Sequence, residues 1–234
     1  MPSFDANTDA FSEHFIFFKP RNIISGDFYL TKDLGDHIVI IAADCTGHGI
    51  PGAFMSMLGI SLLNQIVVQD RITSPDIILN KLRDKVVSTF MQDDNADTRK
   101  DGMDVSLCVI DKRNETMEFA GAYNSMLLFT DGELVEIGGN RMPVGMHPKM
   151  CELFAKQTFS IKKGMCFYLL SDGYTDQFGG PEGKKFRKKQ FKELLSSIQT
   201  KKMDEQKQIL ENTYYLWKGN EDQVDDVLVI GVRI

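Results

Sequence analysis

Three apolar runs in this chain each stop on a carboxylate or start from one. Ile38-Val-Ile-Ile-Ala-Ala43 ends on Asp44, and Phe167-Tyr-Leu-Leu170 ends on Ser171-Asp172-Gly173. Gln223-Val-Asp225-Asp226 opens directly into Val227-Leu-Val-Ile230. Short runs of this apolar density, bounded by turn residues, read as buried β-strands. In antiparallel sheets one strand's end lies beside another's beginning, so these acids can gather at one edge. Gly47 and Gly49, just after Asp44, permit positive φ and close backbone approach, which lets a main-chain carbonyl face the same point. Asp27, in Ser25-Gly-Asp-Phe28, is a fourth acid of this kind. A single Asp-Gly or Asp-Asp is ordinary turn chemistry. Four acids flanking buried strands read instead as an oxygen-only site for a hard divalent cation, Mg²⁺ or Mn²⁺ rather than Zn²⁺.

The remaining pattern predicts one domain over 1–234, with residues 1–13 as a loose lead-in. Strands are expected at His14–Lys19, Asp27–Leu34 and His37–Ala43. A helix then opens at Pro51, since proline suits the first helical position. Its buried face is predicted to hold Ala53, Met57, Ile60, Leu63 and Val67. A second helix starts at Ser74-Pro75, with Ile78, Leu82, Val86 and Phe90 four apart. After a polar loop over Gln92–Lys100 come strands at Val105–Asp111, Thr116–Ala120, Met126–Thr130, Leu134–Ile137, Glu152–Ser160 and Met165–Ser171. Helices at Phe186–Gln199 and Met203–Trp217 and a strand at Val227–Val232 close the chain. Many strands and few helices, without βαβ alternation, predict an α+β fold of antiparallel sheets flanked by helices.

Composition narrows the function classes. A formal net charge of -6 argues against general affinity for nucleic acid. The most apolar helix-like stretch, Leu58–Val68, reads as too short to span a bilayer, which takes roughly 20 residues. Cys45, Cys108, Cys151 and Cys166 are widely spaced with no Cys-x-x-Cys pairing, so a reducing, cytoplasmic setting is expected. There is no Cys-x₅-Arg element of a thiol phosphatase and no P-loop. The run Lys184-Lys-Phe-Arg-Lys-Lys189 reverses the local charge: it is either a solvated face or a surface that steers an acidic phosphoprotein.

Taken in order, Ser25-Gly-Asp-Phe-Tyr29, Asp44-Cys-Thr-Gly-His-Gly-Ile-Pro-Gly-Ala53, Ala120-Gly-Ala-Tyr-Asn124, Leu170-Ser-Asp-Gly173 and Gln223-Val-Asp-Asp226 resemble a known family. They are similar to the catalytic domain of SpoIIE/RsbU-type serine phosphatases, the bacterial branch of the metal-dependent PPM (protein phosphatase 2C-like) group. The resemblance runs from His14 to Ile234. It implies two central β-sheets between helical layers, with two Mn²⁺ or Mg²⁺ ions at one end. It further implies that Asp44 bridges the ions, that the Cys45 carbonyl binds one, and that Asp172 and Asp225 supply further carboxylates. Asp226 is the adjacent alternative to Asp225, Asp27 acts through water, and Asp104 is a candidate for an accessory ion.

His48 is either a general acid or a turn histidine. It lies four residues after Asp44, where eukaryotic relatives have a histidine two after, and this favours the turn role. Arg21 is a candidate phosphate ligand and Asn124 a candidate substrate contact or simple turn residue. The implied substrate is a phosphorylated STAS-domain antagonist of an anti-sigma factor in a partner-switching pathway. An N-terminal sensor domain outside this fragment and a homodimer are further expectations. The alternatives are a non-catalytic regulatory domain of the same fold and a phosphoesterase acting on small molecules.

Overall fold

A computed structural model describes residues 13–47, 49–90, 101–149 and 151–234. The proposed lead-in (apart from Glu13), the whole of the polar 92–100 loop and His48 lie outside the described residues. Glu13 itself is structured: it begins strand β1 (Glu13–Lys19), and its carboxylate pairs with Arg233 at 3.0 Å.

Strand β3 (His37–Cys45) shows why the apolar runs dictate layers. Ile38, Val39, Ile40, Ile41, Ala42 and Ala43 are all buried, so both faces of this strand must be covered. It pairs with β2 (Phe28–Asp33) on one side and β4 (Gly102–Asp111) on the other. Beyond β4 come β5 (Thr116–Ala122) and, at the sheet edge, β9 (Gln157–Ser160); the two-residue β8 (Val144–Gly145) also joins β4. The second sheet has the order β1–β13–β10–β6–β7, with β6 (Met126–Thr130), β7 (Glu133–Ile137), β10 (Cys166–Leu170) and β13 (Val227–Arg233). All pairings in both sheets are antiparallel. A small hairpin, β11 (Phe178–Gly179) with β12 (Lys184–Lys185), stands apart.

Alternation along the strands distributes the core. Ile38, Ile40, Cys108, Phe119, Phe167, Leu169 and Ile230 fill the space between the sheets. Val39, Ile41, Leu107 and Val109 face the other way, onto α1 (Ile50–Leu63) and α2 (Pro75–Phe90). Tyr168, Leu170 and Val229 face α3 (Gly173–Asp176), α4 (Arg187–Ile198) and α5 (Met203–Lys218). The result is helices, sheet, sheet, helices: the expected α+β sandwich.

Three expectations are corrected. Only Gln157–Ser160 of the predicted Glu152–Ser160 strand pairs; Glu152 is instead held in a turn by the Lys149 carbonyl. The buried face of α1 is Gly52, Ala53, Met55, Ser56, Gly59 and Leu63, while Met57 is 68% exposed. The cause is close approach, because a Cβ at Gly59 would meet the Phe28 ring and the Met103 sulfur at 2.8 Å. The helix therefore seats its small residues on the sheet and turns Ile50, Phe54 and Met57 outward. Finally, α1 runs on through a π-helical segment, Asn64–Gln69, so that Ile50–Gln69 spans 20 residues and by length and composition is long enough to cross a membrane. In the fold it packs as a layer helix, burying Leu63, Ile66 and Val67.

Candidate metal and phosphoryl site

The register of the first sheet lines up its acids. Asp44, the penultimate residue of β3, pairs directly with Asp104 on β4. On the other side Phe28 pairs with Ala43, so Asp27, one residue before β2, adjoins Asp44. Directly paired residues point to the same face, and this parity places Asp44 and Asp104 on the face that packs against the second sheet. Thus Asp27, Asp44 and Asp104 form one cross-strand row at the open end of the sandwich. Asp104, read from sequence as the weaker candidate, is a direct neighbour of Asp44.

The second sheet delivers its acids from turns. Asp172 follows Ser171 at the end of β10, and Asp225-Asp226 immediately precede β13. Ser171 locks these two segments together: its N–H donates to the Leu228 carbonyl, and its Oγ accepts from the Leu228 N–H, both at 3.0 Å. Gly173 allows them to touch. A Cβ there would lie 1.9 Å from the Asp226 carbonyl oxygen, so no other residue fits. The Ser171 side chain also lies close enough to Asp27 to draw its carboxyl down, linking the two sheets across the site.

Neighbouring Asp225 and Asp226 differ sharply. Asp226 is buried, and both its oxygens are used: Oδ1 accepts from the Arg21 N–H at 2.7 Å and Oδ2 from the Gly26 N–H at 2.8 Å. Asp226 therefore staples the 21–26 loop, and with it Asp27, to the start of β13. Asp225 uses Oδ1 to accept from the Asp226 N–H at 2.8 Å. A second staple is backbone packing: Gly26 and Gly52 lie so close to the Gly47 carbonyl that a Cβ would meet it at 2.8 and 2.2 Å. The carbonyl of Cys45 faces Gly26 from the same side.

Electrostatics set this end apart. Burial, then the charges of Asp27, Asp172, Asp225 and Asp104, push the Asp44 carboxyl up to about 10. Burial raises Asp27 to about 8, against the Ser171 side chain and together with the charges of Asp226, Asp225 and Asp172. Asp104 rises to about 6 through burial and the charge of Asp172. Asp172 is raised by burial, then by Asp176 and Asp225, with Lys185 and Lys188 opposing. The Cys45 thiol is pushed far up by burial and these same acids, which leaves its carbonyl as the donor it can offer. Asp27 Oδ2 is fully buried with no hydrogen-bond partner.

Crowded carboxylates and an orphaned buried carboxylate oxygen are the chemistry a divalent cation would satisfy. All the donors are hard oxygens, so the residues present fit Mg²⁺ or Mn²⁺. Among the described residues, no three acidic, histidine or cysteine groups are already drawn in around one ion-sized point.

The other candidates fall at the margins. The Arg21 side chain is exposed, and only its backbone N–H engages the site's frame. Asn124 donates through Nδ2 to the Asp104 carbonyl at 3.3 Å, and it lines a cavity shared with Asp172. That cavity also contains Lys188 and Lys192. The sequence pattern marks the run 184–189, which contains Lys188, only as a whole, and Lys192 lies beyond it. Ser171, quoted only as part of a motif, proves to be the link between Asp27 and β13.

Two antiparallel sheets enclosed by helices, with clustered acids at one open end, define the PPM-type (PP2C-like) phosphatase fold. The chain belongs to the SpoIIE family (stage II sporulation protein E), which it matches over residues 35–234; it is a serine/threonine phosphatase domain of this type. It is similar to the SiaA-PP2C domain of Pseudomonas aeruginosa, at 30% identity over 94% of this chain and 85% of that one, with a TM-score of 0.85. The PP2C domain of SpoIIE from Bacillus subtilis, solved with a fragment of its regulatory domain, superposes with a TM-score of 0.76 at 17% identity, over 95% of this chain and 63% of that one. The catalytic domain of the phosphatase PstP, in complex with 2 manganese ions, superposes with a TM-score of 0.64 at 14% identity, over 94% and 97% of the two chains. No curated protein sequence matches this chain significantly.

Proposed function

We propose that this domain is a Mn²⁺- or Mg²⁺-dependent phosphatase that hydrolyses phosphoserine or phosphothreonine on a STAS-domain antagonist of an anti-sigma factor. The observation that carries the reading is the cross-strand row of buried Asp27 and half-buried Asp44 and Asp104, clustered with Asp172 and Asp225, an excess of acidic groups that folding alone does not explain. Asp44, central in the row, would be a ligand for the ions. Asp172 and Asp225 complete the shell from the other sheet, with the Cys45 carbonyl beside them and Asp27 acting through solvent. Asp226 is assigned to the frame rather than to the metal, because both its oxygens already accept backbone hydrogen bonds. When bound, the two ions supply hydroxide near neutral pH and offset the charge on the phosphoryl group.

The chain's own residues hold this geometry. Ser171 and Asp226 fix the segments that carry Asp172, Asp225 and Asp27 at one end of the sandwich. A protein substrate is supported by the surroundings of the site: the outer face of α1 exposes Ile50, Phe54 and Met57, an apolar area that a small ester would leave uncovered. Phosphate release from a phosphoserine STAS protein tests the reading, with Mn²⁺, with EDTA, and with Asp44→Ala or Asp172→Ala. Release should require Mn²⁺ and disappear in both variants; release indifferent to EDTA and to both substitutions overturns it.

A further inference from the structure

The basic run 184–189 is not one uniform face once its ion pairs are drawn. Lys184 is held by Glu182 at 2.5 Å and Lys185 by Asp176 at 2.6 Å. Lys188, in the first turn of α4, is largely exposed and lies at the mouth of a small cavity of ≈ 30 Å³ whose wall includes Asn124, Ser171 and Asp172. That volume has room for roughly two water-sized groups, such as phosphoryl oxygens. Glu136 at the rim shares the Lys188 charge only through a long ion pair. Its Oε2 takes Lys192 Nζ at 2.6 Å and its Oε1 takes the Ser125 hydroxyl at 2.7 Å, leaving Lys188 Nζ at 3.9 Å, beyond hydrogen-bond reach. The charge of Lys188 also acts on Asp172.

Resting on the phosphatase reading above, we propose that Lys188 is the cationic side chain that grips the substrate's phosphoryl group beside Asp172. This is the role the sequence offered to Arg21, whose side chain lies exposed and outside the cavity. Lysine acts there as a mobile point charge, able to meet the phosphoryl oxygens without fixing their orientation. Asn124 lines the same wall and can donate to a phosphoryl oxygen if released from the Asp104 carbonyl.

The test compares wild type with Lys188→Gln, Lys188→Arg and Lys189→Gln, the last removing the same charge one residue along, outside the cavity. A phosphoserine peptide with Mn²⁺ gives KM and kcat, inorganic phosphate gives a product-inhibition constant, and calorimetry gives Mn²⁺ affinity. Lys188→Gln should raise both KM and the phosphate inhibition constant about tenfold, the scale of one hydrogen bond to a charged group. Mn²⁺ affinity and melting temperature should not change. Lys188→Arg should recover most of the loss, and Lys189→Gln should behave as wild type. Unchanged KM and phosphate inhibition in Lys188→Gln overturns the assignment, as does an equal loss in Lys189→Gln. A wild-type protein with no Mn²⁺-dependent activity would instead contradict the phosphatase reading. Calorimetric phosphate binding to Mn²⁺-loaded wild type and Lys188→Gln would then still decide the role of Lys188.

Discussion

Strand β4 carries an aspartate near each end, and the two live under opposite conditions. Asp111 is half-buried but well partnered: the N–H groups of Arg113 and Asn114 and the side chain of Asn114 donate to it and hold its carboxyl below the usual range. Its neighbours are matched as well: His37 lies 3.5 Å from it, Lys112 pairs with Asp33 at 3.0 Å and Arg113 with Asp36 at 2.8 Å. Asp104, seven residues earlier in the chain, is pushed up to about 6 among other buried acids. One end of the sandwich spends its carboxylates on ordinary surface pairing. The other crowds them together, largely uncompensated and partly buried, at a cost in stability. Such a cost is retained where function requires it.

The largest expected effect separates the two ends through activity. Asp44→Ala should lower kcat/KM for a phosphoserine substrate by on the order of 10²–10³ or more, comparable to losing a principal electrostatic group. Asp111→Asn should leave kcat/KM within about twofold, as expected for an ordinary surface pair. Similar losses at both positions would erase the distinction.

Next in size is the division of labour between Asp225 and Asp226. Asp226→Ala leaves two buried N–H groups without acceptors and should destabilise the fold by about 2–5 kcal/mol in a denaturant titration. Asp225→Ala should keep most of the stability and lose Mn²⁺ affinity. The reverse pattern would move the metal ligand to Asp226.

A smaller effect lies in the pH dependence of the EDTA-treated protein. Asp27 and Asp44 have folded-state values of about 8 and about 10, both above the ordinary carboxylate value. Their contribution is therefore complete below roughly pH 4 and is lost as pH rises through those folded-state values. The metal-free protein should melt several degrees lower at pH 9 than at pH 5, and saturating Mn²⁺ should restore more at pH 9. A flat profile, the same with and without Mn²⁺, would show that the acids carry no such burden. Asp44→Ala should flatten the profile and raise the metal-free melting temperature.

Much of this layout was legible in the sequence, for physical reasons that also mark where legibility ends. Runs such as Ile38–Ala43 and Phe167–Leu170 declare buried strands because nothing else covers six or four consecutive apolar residues, and the acids at their ends declare the open edge. Asp104 was undervalued because its pairing with Asp44 is a register across some sixty residues of chain. The Asp225/Asp226 choice needs the Arg21 and Gly26 amides, about two hundred residues away, and no local pattern encodes that contact. The face of α1 was misassigned because periodicity counts apolar side chains, whereas the helix docks through Gly52 and Gly59. Lys188 could not be told from its neighbours, since Glu136, Glu182 and Asp176 sort that run only after folding.

The claim on which the rest depends is that the buried acids form a two-ion site centred on Asp44. Mn²⁺ binding measured by calorimetry on metal-free protein tests it most directly. The account predicts two ions per chain in the wild type and loss of both high-affinity sites in Asp44→Ala, with that variant still folded by circular dichroism. Equal stoichiometry and affinity in the two proteins would contradict it.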